Sequence, residues 1–169
     1  MTDPEFRTAF HGHEDVLYRF AYRMTGSEAA AEDVVRDCFL ALWRNSAAYH
    51  PDRGTLRAFL LGVARKLLLK RWRRERPHDA LEDDSSLCPP ADLEGRERAE
   101  QVARAVQMLP PLQREAVILA EFEDMHLDEI ARATGADIAA VKSRLHRARQ
   151  NLRRCLAPLL EEKGTTHGT

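Results

Sequence analysis

Apolar residues recur every three or four positions along most of the chain, the spacing of helices that bury one face. The stretch after Asp137 shows this most clearly, with an apolar stripe made of Ile138, Val141, Leu145, Ala148 and Leu152. Its other faces carry six Lys or Arg and no Asp or Glu up to Arg154. We predict a helix, capped by Asp137, that docks along one seam and presents cations to a polyanion. A merely solvated basic face is the alternative.

Three further helices are predicted before this one, over residues 94–108, 112–122 and 127–133. Leu109-Pro110-Pro111 breaks the first from the second, and Thr134-Gly135-Ala136 makes a tight turn after the third. Two short helices joined by a glycine turn are typical of a helix-turn-helix.

The first half of the chain predicts a three-helix bundle. Asp3 before Pro4, then Ser27 and Thr55, are the expected N-caps of its helices. The second helix has an inner stripe of Val35, Phe39 and Leu42, and a loop at 45–54 precedes the third helix. No stretch alternates as a strand does. We therefore predict an all-α chain with two small helical domains at 1–76 and 96–160, a flexible acidic linker at 77–95 and a disordered tail at 161–169.

Charge is segregated along the chain although the net charge is only −1. Residues 53–76 hold nine Lys or Arg against the single acid Glu75, whereas residues 79–100 hold eight acids against Arg96 and Arg98. The arginine-rich end of the third helix suits neutralisation of a DNA backbone.

The cysteines and histidines argue against covalent or metal chemistry. Cys38, Cys88 and Cys155 are odd in number and far apart, a poor basis for a disulfide framework and the wrong spacing for a zinc knuckle. His11-Gly12-His13-Glu14 has no second cluster at ligand spacing. We expect no metal, no cofactor, no catalytic residue and no enzymatic activity. With no signal-peptide pattern and no membrane-length apolar run, we expect a soluble protein of the reducing cytoplasm.

Each half of the chain contains a set of distinctive motifs. The second half contains Leu109-Pro110-Pro111-Leu112-Gln113-Arg114-Glu115-Ala116, Asp128-Glu129-Ile130-Ala131 and Val141-Lys142-Ser143-Arg144-Leu145-His146-Arg147-Ala148-Arg149. The first half contains Glu32-Asp33-Val34-Val35 with Phe39-Leu40-Ala41-Leu42-Trp43-Arg44, then Asp52-Arg53-Gly54-Thr55-Leu56-Arg57-Ala58-Phe59-Leu60 and on to Arg73-Arg74. These motifs resemble region 4 and region 2, respectively, of the extracytoplasmic-function (ECF) group of bacterial sigma factors. The resemblance covers roughly residues 10–155 in order.

The resemblance implies a dissociable subunit that directs RNA polymerase to promoters. The 138–154 helix is then expected to read the minus-35 element from the major groove through Lys142, Ser143, His146 and Arg147. Arg144 and Arg149 are better placed for phosphate contacts or packing. A simple solvated histidine is the alternative for His146.

Residues 49–76 are expected, by the same resemblance, to recognise the minus-10 element and to stabilise its melted strand, with the loop at 49–55 beside the exposed base. The residues assigned to this role are Tyr49, Arg53, Arg65, Lys66, Lys70, Arg73 and Arg74. Trp72 stacks on a base or is simply packed.

The second helix is expected to bind core RNA polymerase at the β′ clamp helices, and the resemblance also implies a contact with the β flap. The residues assigned to core binding are Asp33, Arg36, Asp37, Phe39 and Trp43. An anti-sigma factor is a further expected partner, beside promoter DNA. The acidic linker either mimics nucleic acid along the polymerase or keeps the two basic domains apart.

Several residues depart from the family's usual pattern: Arg36 for glutamine, Lys66 and Lys70 for Asn and Asp, His126 for a Ser or Thr cap, Ala140 for threonine, and Gly62 inside a helix. They shift the expected promoter sequence. The rival functions are a stand-alone helix-turn-helix repressor, for which no dimerising element is visible, and an enzyme.

Overall fold

A computed structural model describes residues 1–76, 88–89 and 97–165. This part of the chain is helical without strands, which confirms the all-α prediction. The helices are α1 (Asp3–Thr25), α2 (Glu28–Arg44), α3 (Leu56–Glu75), α4 (Arg98–Gln107), α5 (Pro111–Val117), α6 (Leu127–Thr134) and α7 (Ile138–Thr165). Two short 3-10 turns join α2 to α3, and α5 continues into a π-helical turn at Ile118–Phe122.

Short polar side chains start most of the helices where the sequence predicts. Ser27, Thr55 and Asp137 accept hydrogen bonds from the amides of Ala30, Ala58 and Ala140 at 3.1, 3.1 and 2.7 Å. The cap predicted for α1 was wrong by one residue. Thr2, not Asp3, is the N-cap, because Thr2 and Glu5 form a reciprocal capping box.

The first domain (residues 1–76) packs α1, α2 and α3 around a shared apolar core. Leu17 and Phe20 of α1 meet Leu42 of α2 and Leu60 of α3, and all four are essentially inaccessible to solvent. Each such side chain contributes about 1.5–3 kcal/mol by leaving water. On α2 the stripe is turned slightly from its prediction, since Val34 is buried and Val35 only partly so.

The second domain (residues 97–165) packs α5 and α6 against α7. The seam of α7 consists of Val141, Leu145 and Ala148, as predicted, with Leu152 partly buried. Ile138 was wrongly assigned to this seam. It is 44% exposed, because the apolar stripe extends one turn beyond the helices that pack on it.

The two domains lie directly against each other. α6 packs on α3, while α4 and α5 pack on α1. We call this the closed arrangement. Gly62 of α3 permits it, since a Cβ there would lie 3.1 Å from the carbonyl oxygen of Ala133 in α6. Gly62 lowers the helix stability of α3, but its lack of a Cβ allows α6 to approach α3 closely.

A disulfide joins Cys88 to Cys155, with 5.2 Å between their Cα atoms. The expectation that the number and spacing of the cysteines disfavour disulfide bonding was therefore wrong. The two residues are 67 positions apart, but separation along the chain does not measure distance in the fold. Cys38 is the free thiol, buried in the first domain.

The C-terminal segment also differs from its prediction. α7 continues to Thr165, so residues 161–165, assigned to a disordered tail, have a helical backbone. Pro158 does not end this helix. The rest of that tail, residues 77–87 and 90–95 of the predicted linker, and residue 96 of the predicted second domain lie outside the described residues.

The cysteine environments predict selective alkylation by iodoacetamide. Burial raises the pKa of Cys38 to about 12, which leaves almost no thiolate to react. After reduction, Cys88 and Cys155 should react at least about 100-fold faster than Cys38, as measured by mass spectrometry of peptides over time. Labelling of Cys88 in protein that has first been oxidised and not yet reduced would contradict the disulfide.

Candidate nucleic-acid interface

The cationic face of α7 is open to solvent. Lys142, Ser143, His146 and Arg147 are exposed, whereas Arg144 is half-buried. The four residues assigned to base reading are thus accessible, and Arg144 lies nearer to the packed side of the helix. Arg149 is also exposed, but its guanidinium is paired with Glu121 at 3.0 Å from Nε to Oε1. α7 therefore offers a surface of mixed cations and small polar groups.

The turn before α7 has the geometry of a helix-turn-helix. Gly135 adopts φ 69°, a left-handed conformation that glycine takes without strain, and it ends α6. Asp137 then caps α7. At the start of α6, where His126 replaces the usual hydroxyl cap, the carboxylate of Glu129 accepts from the His126 amide at 3.4 Å.

A second cationic stripe runs along α3. Lys66, Lys70, Arg73 and Arg74 are exposed on it, at spacings that place them on neighbouring turns. Arg65 points elsewhere, into the contact between domains. Its Nε lies 2.9 and 2.8 Å from the two carboxylate oxygens of Glu115 in α5. Of the α3 residues predicted for the minus-10 element, Arg65 is the one held away from the exposed stripe, while Tyr49 and Arg53 lie in the loop before α3.

The loop at 49–55 borders a cavity of about 800 Å³. Tyr49 donates a hydrogen bond to the Gly54 carbonyl at 3.3 Å and packs on Phe59 with ring centroids 5.4 Å apart. Arg53 is exposed at the rim. The opposite wall belongs to α6, through Glu129, Arg132 and Ala133. In the closed arrangement, α6 of the second domain therefore faces, across this cavity, the loop that is predicted to lie beside an unpaired base.

Trp72 is packed at the domain boundary. The guanidinium groups of Arg76 and Arg114 lie over its ring, 4.3 and 5.3 Å from the ring centroid. Arg114 is itself buried and donates to the carbonyls of Met24 and Leu109. Burial lowers the pKa of Arg114 to about 10, so the side chain stays charged at neutral pH. In this arrangement the packed alternative holds for Trp72.

Two carboxylates of the second domain are buried against arginines of the first. Glu115 is 1% exposed and pairs with Arg65; burial raises the pKa of Glu115, while the charges of Arg65 and Arg144 oppose that rise. Glu123 is 2% exposed and accepts from Arg57 at 2.8 Å, with Arg19 and Arg23 at 3.4 and 3.6 Å.

Sequence reasoning missed this function of Glu115 and Glu123. Glu115 belongs to a family motif, and Glu123 lies in a stretch whose sequence is typical of a polar turn. Neither position predicts a buried carboxylate. Four arginines of the first domain, spread from residue 19 to residue 65, meet these carboxylates only because α1 and α3 lie side by side. No local pattern signals such a contact.

The exposed face of α2 combines acids with apolar residues. Arg36 lies between the two predicted acids, 3.0 Å from Asp33 and 3.9 Å from Asp37. Trp43 is 48% exposed, as a contact residue must be. Phe39 is 3% exposed, so its assignment as a contact residue was wrong: it packs against Phe6 and Phe10. Leu40 is 41% exposed and was not assigned to core binding. Its position outside the buried stripe of α2 is the sequence signal that could have identified it as a surface residue.

Family models match both domains. Sigma-70 region 2 matches residues 9–78, and Sigma-70, region 4 matches residues 99–152. The chain belongs to the sigma-70 family. In the terms of that family, α1–α3 form region 2 and α4–α7 form region 4, and the resemblance stated from the sequence is confirmed.

Several relatives of this sigma-70 chain carry the name ECF RNA polymerase sigma factor. SigE of Mycolicibacterium smegmatis is 32% identical over 162 residues, which are 91% of this chain and 62% of the relative. The chain thus spans less than two thirds of that relative's length. SigW of Bacillus subtilis is 24% identical over 87% of this chain and 86% of its own length.

Two solved sigma-factor structures have a similar fold over nearly their whole length. RpoE in complex with the anti-sigma factor NepR from Bartonella quintana has a TM-score of 0.72 at 25% identity, covering 90% of this chain and 97% of that one. CnrH in complex with the cytosolic domain of CnrY has a TM-score of 0.69 at 25% identity, covering 93% and 90%.

The Gly62 contact predicts that Gly62→Leu opens the two sigma domains. The leucine side chain cannot fit against Ala133, although it favours α3 itself by about 1 kcal/mol over glycine. The radius of gyration by X-ray scattering should rise above the value of about 15 Å expected for a compact chain of this length. Gly12→Leu is the matched control, since a Cβ added at Gly12 of α1 would meet no neighbouring atom within 4 Å. Equal values for both variants would show that Gly62 does not govern the contact.

Proposed function

We propose that this protein is an ECF sigma factor that binds core RNA polymerase and directs promoter-specific initiation of transcription. The observation that carries the proposal is the pair of cationic surfaces on α3 and α7, one in region 2 and one in region 4. A single basic face would support only general binding to nucleic acid. Two of them, on domains matched to successive sigma regions, support a promoter-reading subunit that acts in the cytoplasm.

We assign reading of the minus-35 element to α7. The recognition helix of a helix-turn-helix enters the major groove with its N-terminal residues nearest the base edges. Lys142, Ser143, His146 and Arg147 are exposed there and supply donors. Ile138 adds an exposed apolar side chain in the first turn, suited to the methyl group of thymine. Its exposure makes sense as a base contact, since it lies outside the packed seam.

We assign the minus-10 element to residues 49–76. The stripe formed by Lys66, Lys70, Arg73 and Arg74 would neutralise backbone phosphates. The cavity beside Tyr49 and Phe59 would receive an unpaired base, since aromatic side chains bind the faces of bases. Arg53 is exposed at its rim, and Arg65 joins this surface once α5 moves away from it.

We assign core binding to the exposed face of α2. Asp33 and Asp37 bring charge, and Trp43 and Leu40 bring apolar surface that the protein leaves in water. Aromatic residues are enriched in the centres of interfaces. The β′ clamp helices are the proposed contact, with region 4 on the β flap.

The closed arrangement must open for this function. Elements at minus-10 and minus-35 are separated by about 25 base pairs, or about 85 Å of straight duplex at 3.4 Å per base pair. A compact chain of 169 residues has a radius of gyration of only about 15 Å. The closed arrangement is therefore a polymerase-free form, and we propose that an anti-sigma factor stabilises it, as the complexes of RpoE and CnrH suggest by likeness.

The proposed function predicts specific transcripts when the reduced protein is combined with core RNA polymerase and a promoter library. Core enzyme alone should give none of them, and sequencing the 5′ ends should yield a shared pair of elements. Tight binding to a duplex operator by the protein alone, with no transcript from the holoenzyme, would instead indicate a stand-alone repressor.

The α2 assignment predicts that the double variant Asp33→Lys, Asp37→Lys binds core polymerase more weakly, by about 1–3 kcal/mol or roughly 5- to 150-fold in Kd. Titration of labelled protein with core enzyme measures this loss. Asp15→Lys is the matched charge change at an exposed position of α1, and it should keep wild-type affinity. Unchanged binding of the double variant would refute the assignment.

A further inference from the structure

The Cys88–Cys155 disulfide connects the segment between the domains to the far end of α7. Cys88 is exposed and Cys155 is half-buried, so a small redox partner can reach the pair from solvent. Cys38 is buried, and its raised pKa keeps it protonated. The chain therefore contains two exchangeable sulfurs and one protected sulfur.

We propose that the Cys88–Cys155 disulfide is a redox-controlled strap that limits how far the two domains can separate and so switches promoter engagement. This inference rests on the proposed function, because only a protein that reads two distant elements needs its domains far apart. Reduction releases the strap, and oxidation fastens it.

The chain length between the domains carries the argument. In the reduced protein, residues 77–96 connect α3 to α4, and the path from Arg76 to Glu97 reaches at most about 70 Å at about 3.4 Å per residue. In the oxidised protein the path from Arg76 to Cys88 reaches only about 40 Å before it is fixed to α7.

The promoter requires more than the oxidised path provides. Of the separation of about 85 Å between elements, the reduced linker leaves roughly 15 Å to be covered by the bodies of the domains. The oxidised linker leaves roughly 45 Å, of which α7 from Cys155 back to Lys142 supplies only about 20 Å at 1.5 Å per residue. When a linker cannot span two binding sites, binding at one site no longer raises the apparent affinity at the other.

The chemistry balances as ordinary thiol–disulfide exchange with a low-molecular-weight disulfide. One cysteine thiolate attacks a sulfur of the small disulfide, which forms a mixed disulfide and releases one small thiolate. The second cysteine thiolate attacks the protein sulfur and releases the other. The protein loses two electrons and two protons, and the small disulfide gains them as two thiols. Excess small thiol reverses both steps.

Transcription with core polymerase tests the strap. Protein treated with oxidised glutathione and then freed of it should give about 100-fold fewer transcripts than reduced protein, and reduction should restore them. Cys88→Ser and Cys155→Ser should remain active under both conditions. Cys38→Ala, the matched control, should lose activity on oxidation as the wild type does.

A longer linker distinguishes a disulfide that limits domain separation from one that only stabilises region 4. Ten Gly and Ser residues inserted between Arg76 and Cys88 add about 34 Å of reach and leave the disulfide intact. The oxidised insertion variant should recover most of its transcription. If oxidation has no effect on the wild type, or if the insertion restores nothing, the strap is wrong, while transcripts from reduced protein still support the sigma function.

X-ray scattering gives a readout that does not depend on transcription. In the Gly62→Leu background, oxidation should lower the radius of gyration, and Cys88→Ser should abolish that change. Should no condition yield transcripts, this measurement still decides the strap: equal radii in the oxidised and reduced states would overturn it.

Discussion

The burial of Glu115 and Glu123 is the constraint on which the closed arrangement depends. Both carboxylates belong to region 4, and both meet guanidinium groups from region 2, the one from Arg65 and the other from Arg57, Arg19 and Arg23. A buried carboxylate that loses its partner costs about 3–5 kcal/mol if it stays buried. Opening avoids this cost, because separation of the domains returns both carboxylates to water. The ion pairs therefore stabilise the closed arrangement, and the carboxylates are hydrated once the domains separate. Such an interface can form and break reversibly.

The same interface treats the two proposed DNA readers differently. α7 keeps its cationic face in solvent, whereas α6 faces the loop at 49–55 across a cavity and Glu115 holds Arg65. Opening of the closed arrangement would therefore change the surroundings of the proposed minus-10 residues more than those of the proposed minus-35 residues. The interface thus acts mainly on the region 2 surface.

Local features of the fold were predictable from the sequence, and contacts between domains were not. The helices, the caps at Ser27, Thr55 and Asp137 and the seam of α7 follow from spacing and from hydrogen-bonding side chains. The exposed residues of the candidate sites follow from the same periodicity. Phe39 and Ile138 were misassigned because periodicity gives the direction of a side chain without saying whether a neighbour covers it. The disulfide and the buried carboxylates depend on which helices lie together, and a single sequence holds no local signal for that.

The π-helical turn at Ile118–Phe122 makes this point of the chain tolerant of a change in length. This turn holds one more residue than an α-helical turn of the same height, and the Glu123 amide bonds to the Ile118 carbonyl at 3.1 Å. A deletion of one residue within the turn would restore α-helical winding over the same height, so the Glu123 carboxylate would keep its direction toward the three arginines. A relative shorter by one residue at this point would therefore keep both its helices and this ion-pair cluster. Substitution of Glu123, rather than a gap in an alignment, would mark the members whose domains part more easily.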